Sequence, residues 1–182
     1  MSIGRTLFAA ALAASAVPAG AAVTVIGSSS ARMCFEAADT RITPSQASLD
    51  NCDEALQQGN MSRYDTVATY VNRGILRLRV GREDDAMADF DRALAQDPNQ
   101  AEAYLNKGLL RLRQDKASEA MPLIQRAIEA HTIRPALALY ARGVAHEMMG
   151  DLKAAYTDLS QARDMAPGWK LPAEQLARYR VH

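Results

Sequence analysis

Few side chains in this sequence stand where chemistry is done. His146-Glu147 is half of the helical zinc pair whose second histidine falls four residues after the first, but that position is Gly150. Ser28, Ser29 and Ser30 follow Gly27 without the G-x-S-x-G elbow that exposes a nucleophile, and no glycine-rich phosphate loop is present. His131 and His182 stand alone. The acids Glu83, Asp84, Asp85, Asp89 and Asp91 lack the loop spacing of calcium ligands, and a solvated helix face accounts for them. These residues imply no catalytic group, no metal and no cofactor.

The cysteines are the remaining reactive groups, and their chemistry depends on where the chain resides. Residues 1–21 carry one basic side chain, Arg5, then an apolar run from Leu7 to Val17, then small residues, which is the pattern of a secretory leader. Ala19-Gly20-Ala21 fits the small-x-small rule, so cleavage is expected after Ala21, with Ala22 the alternative. The run is shorter than the ~20 apolar residues of a membrane helix, and no span is expected once the leader is gone. Cys34 and Cys52 then enter an oxidising compartment, where a disulfide is the first expectation. Two buried thiols or a metal pair are the alternatives, and no companion ligands stand at metal spacing. Without Arg5 the chain has one excess acid, which gives no electrostatic basis for binding nucleic acid or anionic lipid.

The elements that position these groups repeat. VNRGILRLR at Val71 to Arg79 returns as LNKGLLRLR at Leu105 to Arg113, and a third copy aligns Gly143 with Gly74 and Gly108. Behind each glycine come Ala86, Ala120 or Ala155, then Phe90, Ile124 or Leu159, then Ala93, Ala127 or Ala162. Each unit therefore predicts two helices and a turn, with small residues on one helix meeting large ones on the next. Gly81 and Gly150 suit left-handed C-terminal caps, while Asp97 is expected to cap the following helix with Pro98 at its first position. Pro122 removes a backbone donor and should bend or loosen its helix near the start.

These residues resemble the tetratricopeptide repeat, in its exported bacterial form, from Val67 to about Pro167. The resemblance implies an all-α, right-handed α-solenoid of helix-turn-helix repeats. It divides the chain into the leader at 1–21, an N-terminal extension at 22–66, repeats at 67–100, 101–135 and 136–169, and a capping helix at 170–182. Tyr70 and Tyr104 stand at the family aromatic, with Leu139 in the third copy, and Pro98 and Pro167 close two repeats. Arg73, Lys107 and Arg142 replace the usual leucine before the glycine; Arg77, Arg111 and His146 replace the frequent tyrosine. In the extension, ARMCFEAAD and TPSQASLDNCDEALQQG read as a degenerate helix pair that Cys34–Cys52 would staple. Its second helix is expected to open with Thr43 as cap, Pro44 first and Gln46 in a capping box, and Ala22 to Ser30 reads as a short stretch, extended or disordered. At the other end Leu171, Leu176 and Tyr179 form the stripe of the capping helix, with Trp169 at its entrance.

The resemblance further implies that first helices line a concave groove for an extended peptide or partner helix. The matching positions are Val71, Asn72, Ile75, Leu78 and Arg79, then Leu105, Asn106, Leu109, Leu112 and Arg113, then Leu137, Tyr140, Val144 and Met148. Asn72 and Asn106 offer the donor and acceptor that a peptide backbone needs, and Arg79 and Arg113 suit acidic side chains or a terminal carboxylate. The alternative places Ile75, Leu78, Leu109 and Leu112 in the core and spends the asparagines on neighbouring backbone. The function expected is a non-enzymatic adaptor or assembly factor with a protein or peptide partner, in the periplasm of a Gram-negative bacterium or secreted. The rivals are a holdase for exported chains and a self-associating protein whose groove is filled by another copy or by its own Ala22 to Ser30.

Overall fold

The computed structural model describes residues 21–40 and 42–179. Every regular element among them is helical: α1 Ser29–Asp39, α2 Gln46–Gln58, α3 Arg63–Arg79, α4 Glu83–Gln96, α5 Ala101–Arg113, α6 Ala117–Glu129, α7 Pro135–Met149, α8 Leu152–Met165 and α9 Lys170–Leu176. No described helix is long and apolar enough to cross a membrane. The expected leader, apart from Ala21, and the last three positions of the expected capping helix lie outside the described residues. The described residues form two compact units, 21–107 and 108–179, with the boundary inside α5.

In the N-terminal unit α1, α2 and α3 pack on one another, and α3 packs on α4. A disulfide joins Cys34 to Cys52, both fully buried, across α1 and α2. The cap of α2 is Ser45, not Thr43: its hydroxyl accepts from Ser48 N at 3.3 Å, and Pro44 stays outside the helix. Gln46 is drawn forward to Asp50 at 2.8 Å instead of back to the cap, so no capping box forms. α3 starts four residues before Val67, because Ser62 and Asp65 close its first turn. The Ser62 hydroxyl accepts from Asp65 N at 3.0 Å and donates to Asp65 Oδ2 at 2.8 Å.

The glycine positions are explained by what faces them. A Cβ on Gly74 would stand 2.5 Å from Phe90 Cε1, one on Gly108 2.6 Å from Ile124 Cγ1, and one on Gly143 2.9 Å from Leu159 Cγ. All three large partners are fully buried, so the rings and branches cannot step aside into solvent. Alanine would gain about 1 kcal/mol of helix propensity, but overpacking a closed core costs about 1–3 kcal/mol. Gly74→Ala is therefore expected to lower stability, most sharply here because a rigid ring is the obstacle. An unchanged or raised denaturation midpoint would show that the helices separate without cost.

Turn chemistry divides into what glycine does and what it does not. Gly81 and Gly150 adopt φ of +80° and +89° at the ends of α3 and α7, as left-handed caps, and Asp115 takes the same place after α5 at +58°. Asp97 does not cap α5. Its own N–H closes α4 on Ala93 O at 2.8 Å and its side chain accepts from Asn99 N at 3.0 Å, a local Asx turn that leaves Pro98 short of the helix starting at Ala101.

In the C-terminal unit α7 packs on α6 and α8, and α9 packs on α8. α6 runs through Pro122 as one helix. Trp169 precedes α9 and sets its ring 4.9 Å from that of Tyr140 on α7. Gln175 donates to Glu147 Oε2 at 2.6 Å and Arg178 lies 3.5 Å from the same carboxylate. Burial, and then the Glu147 charge, push the Tyr140 hydroxyl up to about 12. An unfolded tyrosine ionises near 10, so between pH ~10 and ~12 only the unfolded state loses the proton and stability falls as pH rises. Ultraviolet titration of wild type against Tyr140→Phe should show this late phenol missing from the variant; identical curves would contradict the burial.

Candidate interaction face and its occupant

One face of α3 carries Asp65, Thr69 and Asn72, one above another at helical spacing, and all three are buried. Thr69 spends its hydroxyl on Asp65 O at 2.7 Å, which leaves Asp65 and Asn72 to reach outward. Against them lies a segment from Ala21 to Ile26, outside any helix, that precedes α1. Val23 N donates to Asn72 Oδ1 at 2.8 Å, and Asn72 Nδ2 donates to Val23 O at 2.7 Å. One amide thus satisfies both polar groups of a buried backbone residue. Three residues on, Ile26 N donates to Asp65 Oδ1 at 2.9 Å. A Cβ on Gly27 would lie 3.1 Å from Asp65 Oδ2, so the bare backbone passes close to the carboxylate before Ser28 caps α1.

The segment alternates in part. Ala21, Ala22, Val23 and Val25 are buried, Thr24 is exposed and Ile26 is 86% exposed. On α5, Asn106 Nδ2 donates to Glu102 O at 2.8 Å and reaches Ala21 O at 3.5 Å, the limit of a hydrogen bond. Asn106 is thus mainly engaged one turn back on its own helix. Val23→Pro removes the donor to Asn72 and leaves a buried amide oxygen unmet, which costs about 1–3 kcal/mol. Proteolysis between Ala21 and Ser28 should accelerate in that variant, and an unchanged cleavage rate would mean the two hydrogen bonds do not hold the segment.

The other residues picked out from sequence separate by unit. In the N-terminal unit Val71, Ile75 and Leu105 are buried, and Leu78 packs half-buried on the core. Burial opposes the Arg79 cation and the Asp39 charge favours it. Its guanidinium donates to the carbonyls of Ala37 and Ala38 at 3.1 and 2.5 Å, where the end of α1 leaves acceptors unmet by its own helix. In the C-terminal unit Leu112, Leu137 and Val144 are buried, Leu109, Tyr140 and Met148 pack against the core, and Arg113 is half-buried.

Two charged arrangements were not foreseen. Asp89, fully buried on α4, accepts from Arg73 Nε and Nη2 at 2.9 and 2.7 Å, from Arg77 at 2.7 Å and from Arg92 at 2.9 Å. Arg73 also donates to Asp53 at 2.6 Å, tying α2 to the same cluster. In the C-terminal unit Arg142 grips Asp158 with two bonds of 2.7 Å. Both pairs span sixteen residues, and the signal was there to read: the cations that displace the family leucine have an aspartate at that distance. The middle copy has Leu123 there, and Lys107 pairs instead with Asp91. His146 lies 3.9 Å from Asp158 and 4.0 Å from Asp151, beside Arg142. No group of three metal-ligating side chains able to hold an ion occurs among the described residues.

Paired helices with glycine–large contacts at a fixed interval, and one side-chain amide turned to a non-helical backbone, define a helical-repeat protein of the interaction class. The family model of the tetratricopeptide repeat matches residues 71–135 and again 108–168, and the chain belongs to that family. Its members mediate protein–protein interactions. No curated protein matches the chain.

Proposed function

We propose that the chain is an exported, non-enzymatic interaction module that serves as an adaptor or assembly factor in the periplasm or outside the cell. Its division would be the leader at 1–21, the stapled extension at 22–66, repeats at 67–100, 101–135 and 136–169, and the cap at 170–182. The observation that carries the reading is the two-way grip of Asn72 on the backbone of Val23, since a face that holds one non-helical backbone has the chemistry to hold another. The leader pattern and the buried disulfide support export. Affinity capture from periplasmic extract, with the chain from Ala22 to His182 as bait, tests it. One protein retained in stoichiometric amount is the expected result. Many weakly held chains would make it a holdase, and retention of nothing but its own copies would make it a self-associating protein.

A further inference from the structure

We propose that Ala22 to Gly27 is a displaceable occupant of the α3 face, and that the segment which replaces it is an extended peptide of the same chemistry, small and β-branched with a free backbone N–H and C=O. This rests on the reading of the chain as an interaction module, and adds what its face recognises and what keeps it closed. The contacts that hold the strap are mostly ones any such peptide offers. Asn72 reads the N–H and C=O of one residue, and Asp65 reads the N–H three residues later. Side-chain selection falls on the places of Ala22, Val23 and Val25, each at most 6% exposed, while those of Thr24 and Ile26 are open. Seats so shallow in polar demand admit alanine, valine and similar residues and reject charge.

The strap also has the geometry of a tethered competitor. Only Gly27 and Ser28 separate Ile26 from α1, which the Cys34–Cys52 bridge ties to α2. So short a tether holds the strap near its seat at an effective concentration on the order of millimolar, which raises the apparent Kd about tenfold for a free peptide whose intrinsic Kd is ~0.1 mM, and more for a tighter one.

The test uses the chain from Ala22 to His182, disulfide intact, with Val23→Asp and Val25→Asp together to release the strap, and a fluorescent Ala-Val-Thr-Val-Ile-Gly peptide blocked at both ends. The released chain is expected to bind the peptide at least about tenfold tighter than wild type, and to lose that gain when Asn72→Ala is added. Equal binding by both chains, no binding by a released chain with wild-type helical content, or a released chain that associates with itself in place of the peptide would overturn the proposal. Should the released chain lose its helices, hydrogen exchange in wild type decides. The Val23 and Ile26 amides must exchange through a local opening, at least about tenfold faster than the α3 amides at Val71 and Ile75, which follow the slowest openings. Equal protection would make the strap an inseparable part of the core and overturn the proposal. Peptide binding with no partner in the capture experiment would leave this inference standing and remove the adaptor.

Discussion

Asp89→Ala is expected to destabilise the N-terminal unit by about 3–5 kcal/mol, the cost of breaking a buried ion pair by removing one partner. The cause lies in what remains. Arg73 and Arg77 have side chains only 11% and 12% exposed, and Asp89 is the one acid that both grip in short hydrogen bonds. Asp53 compensates in part, since it is 2.6 Å from Arg73, but it is 41% exposed and 3.9 Å from Arg77. Asp158→Ala should cost less, about 1.5–3 kcal/mol for lost hydrogen bonds to a charged group, because Arg142 is 23% exposed and keeps Gln125. Replacing Arg73, Arg77 and Asp89 together by leucine should recover much of the loss, since an apolar trio of similar volume avoids burying charge at all. Urea unfolding followed by helical circular dichroism measures each. Asp89→Ala falling no further than Asp91→Ala, whose carboxylate is exposed, would show that the cluster contributes little.

Opening the Cys34–Cys52 bridge is expected to remove about 3 kcal/mol, the chain entropy restored to an unfolded loop of this length. The sequence separation is 18 residues, and α1 and α2 offer few large side chains to hold the pair without it: among their buried residues only Leu49 exceeds cysteine in apolar bulk. The loss should spread beyond the two helices, because α1 presents Ala37 and Ala38 to Arg79 and anchors the strap through Ser28. Unfolding with and without reductant, repeated on Cys34→Ala with Cys52→Ala, gives the value. A fall below about 1 kcal/mol, well short of the chain-entropy figure, would mean that packing alone holds the extension.

What could be read from sequence was local and periodic. Gly74 facing Phe90, and its two later copies, follow from spacing within one helix pair, and left-handed Gly81 and Gly150 follow from turn chemistry. Caps are hard to place where several candidates stand together. Thr43 lost to Ser45, which sits next to the helix, and Asp97 was taken by its own Asx turn. Ala22 to Ser28 is outside any helix, as its sequence suggests, but it is held on α3 and not disordered, and Ser29 already belongs to α1. Asn72 was legible as a reader of backbone, but which backbone it would hold was open, because Val23 is 49 residues away and no pattern links the two. Asp65 could be suspected as the partner of Ser62, yet its bond to Ile26 had no sequence signature. Asp89 is indistinguishable in sequence from its solvated neighbours, because its burial depends on Arg73 and Arg77 of the preceding helix.

The strap reverses the order of synthesis. Its residues leave the ribosome before everything they touch: Asp65 follows Ile26 by 39 residues, Asn72 follows Val23 by 49, and Asn106 follows Ala21 by 85. Helices α3 and α4 close over short loops and form early, whereas contacts of such separation must wait for the chain between them. The segment is thus made before the face that holds it and placed after it, and until then the α3 face of a nascent molecule stands open.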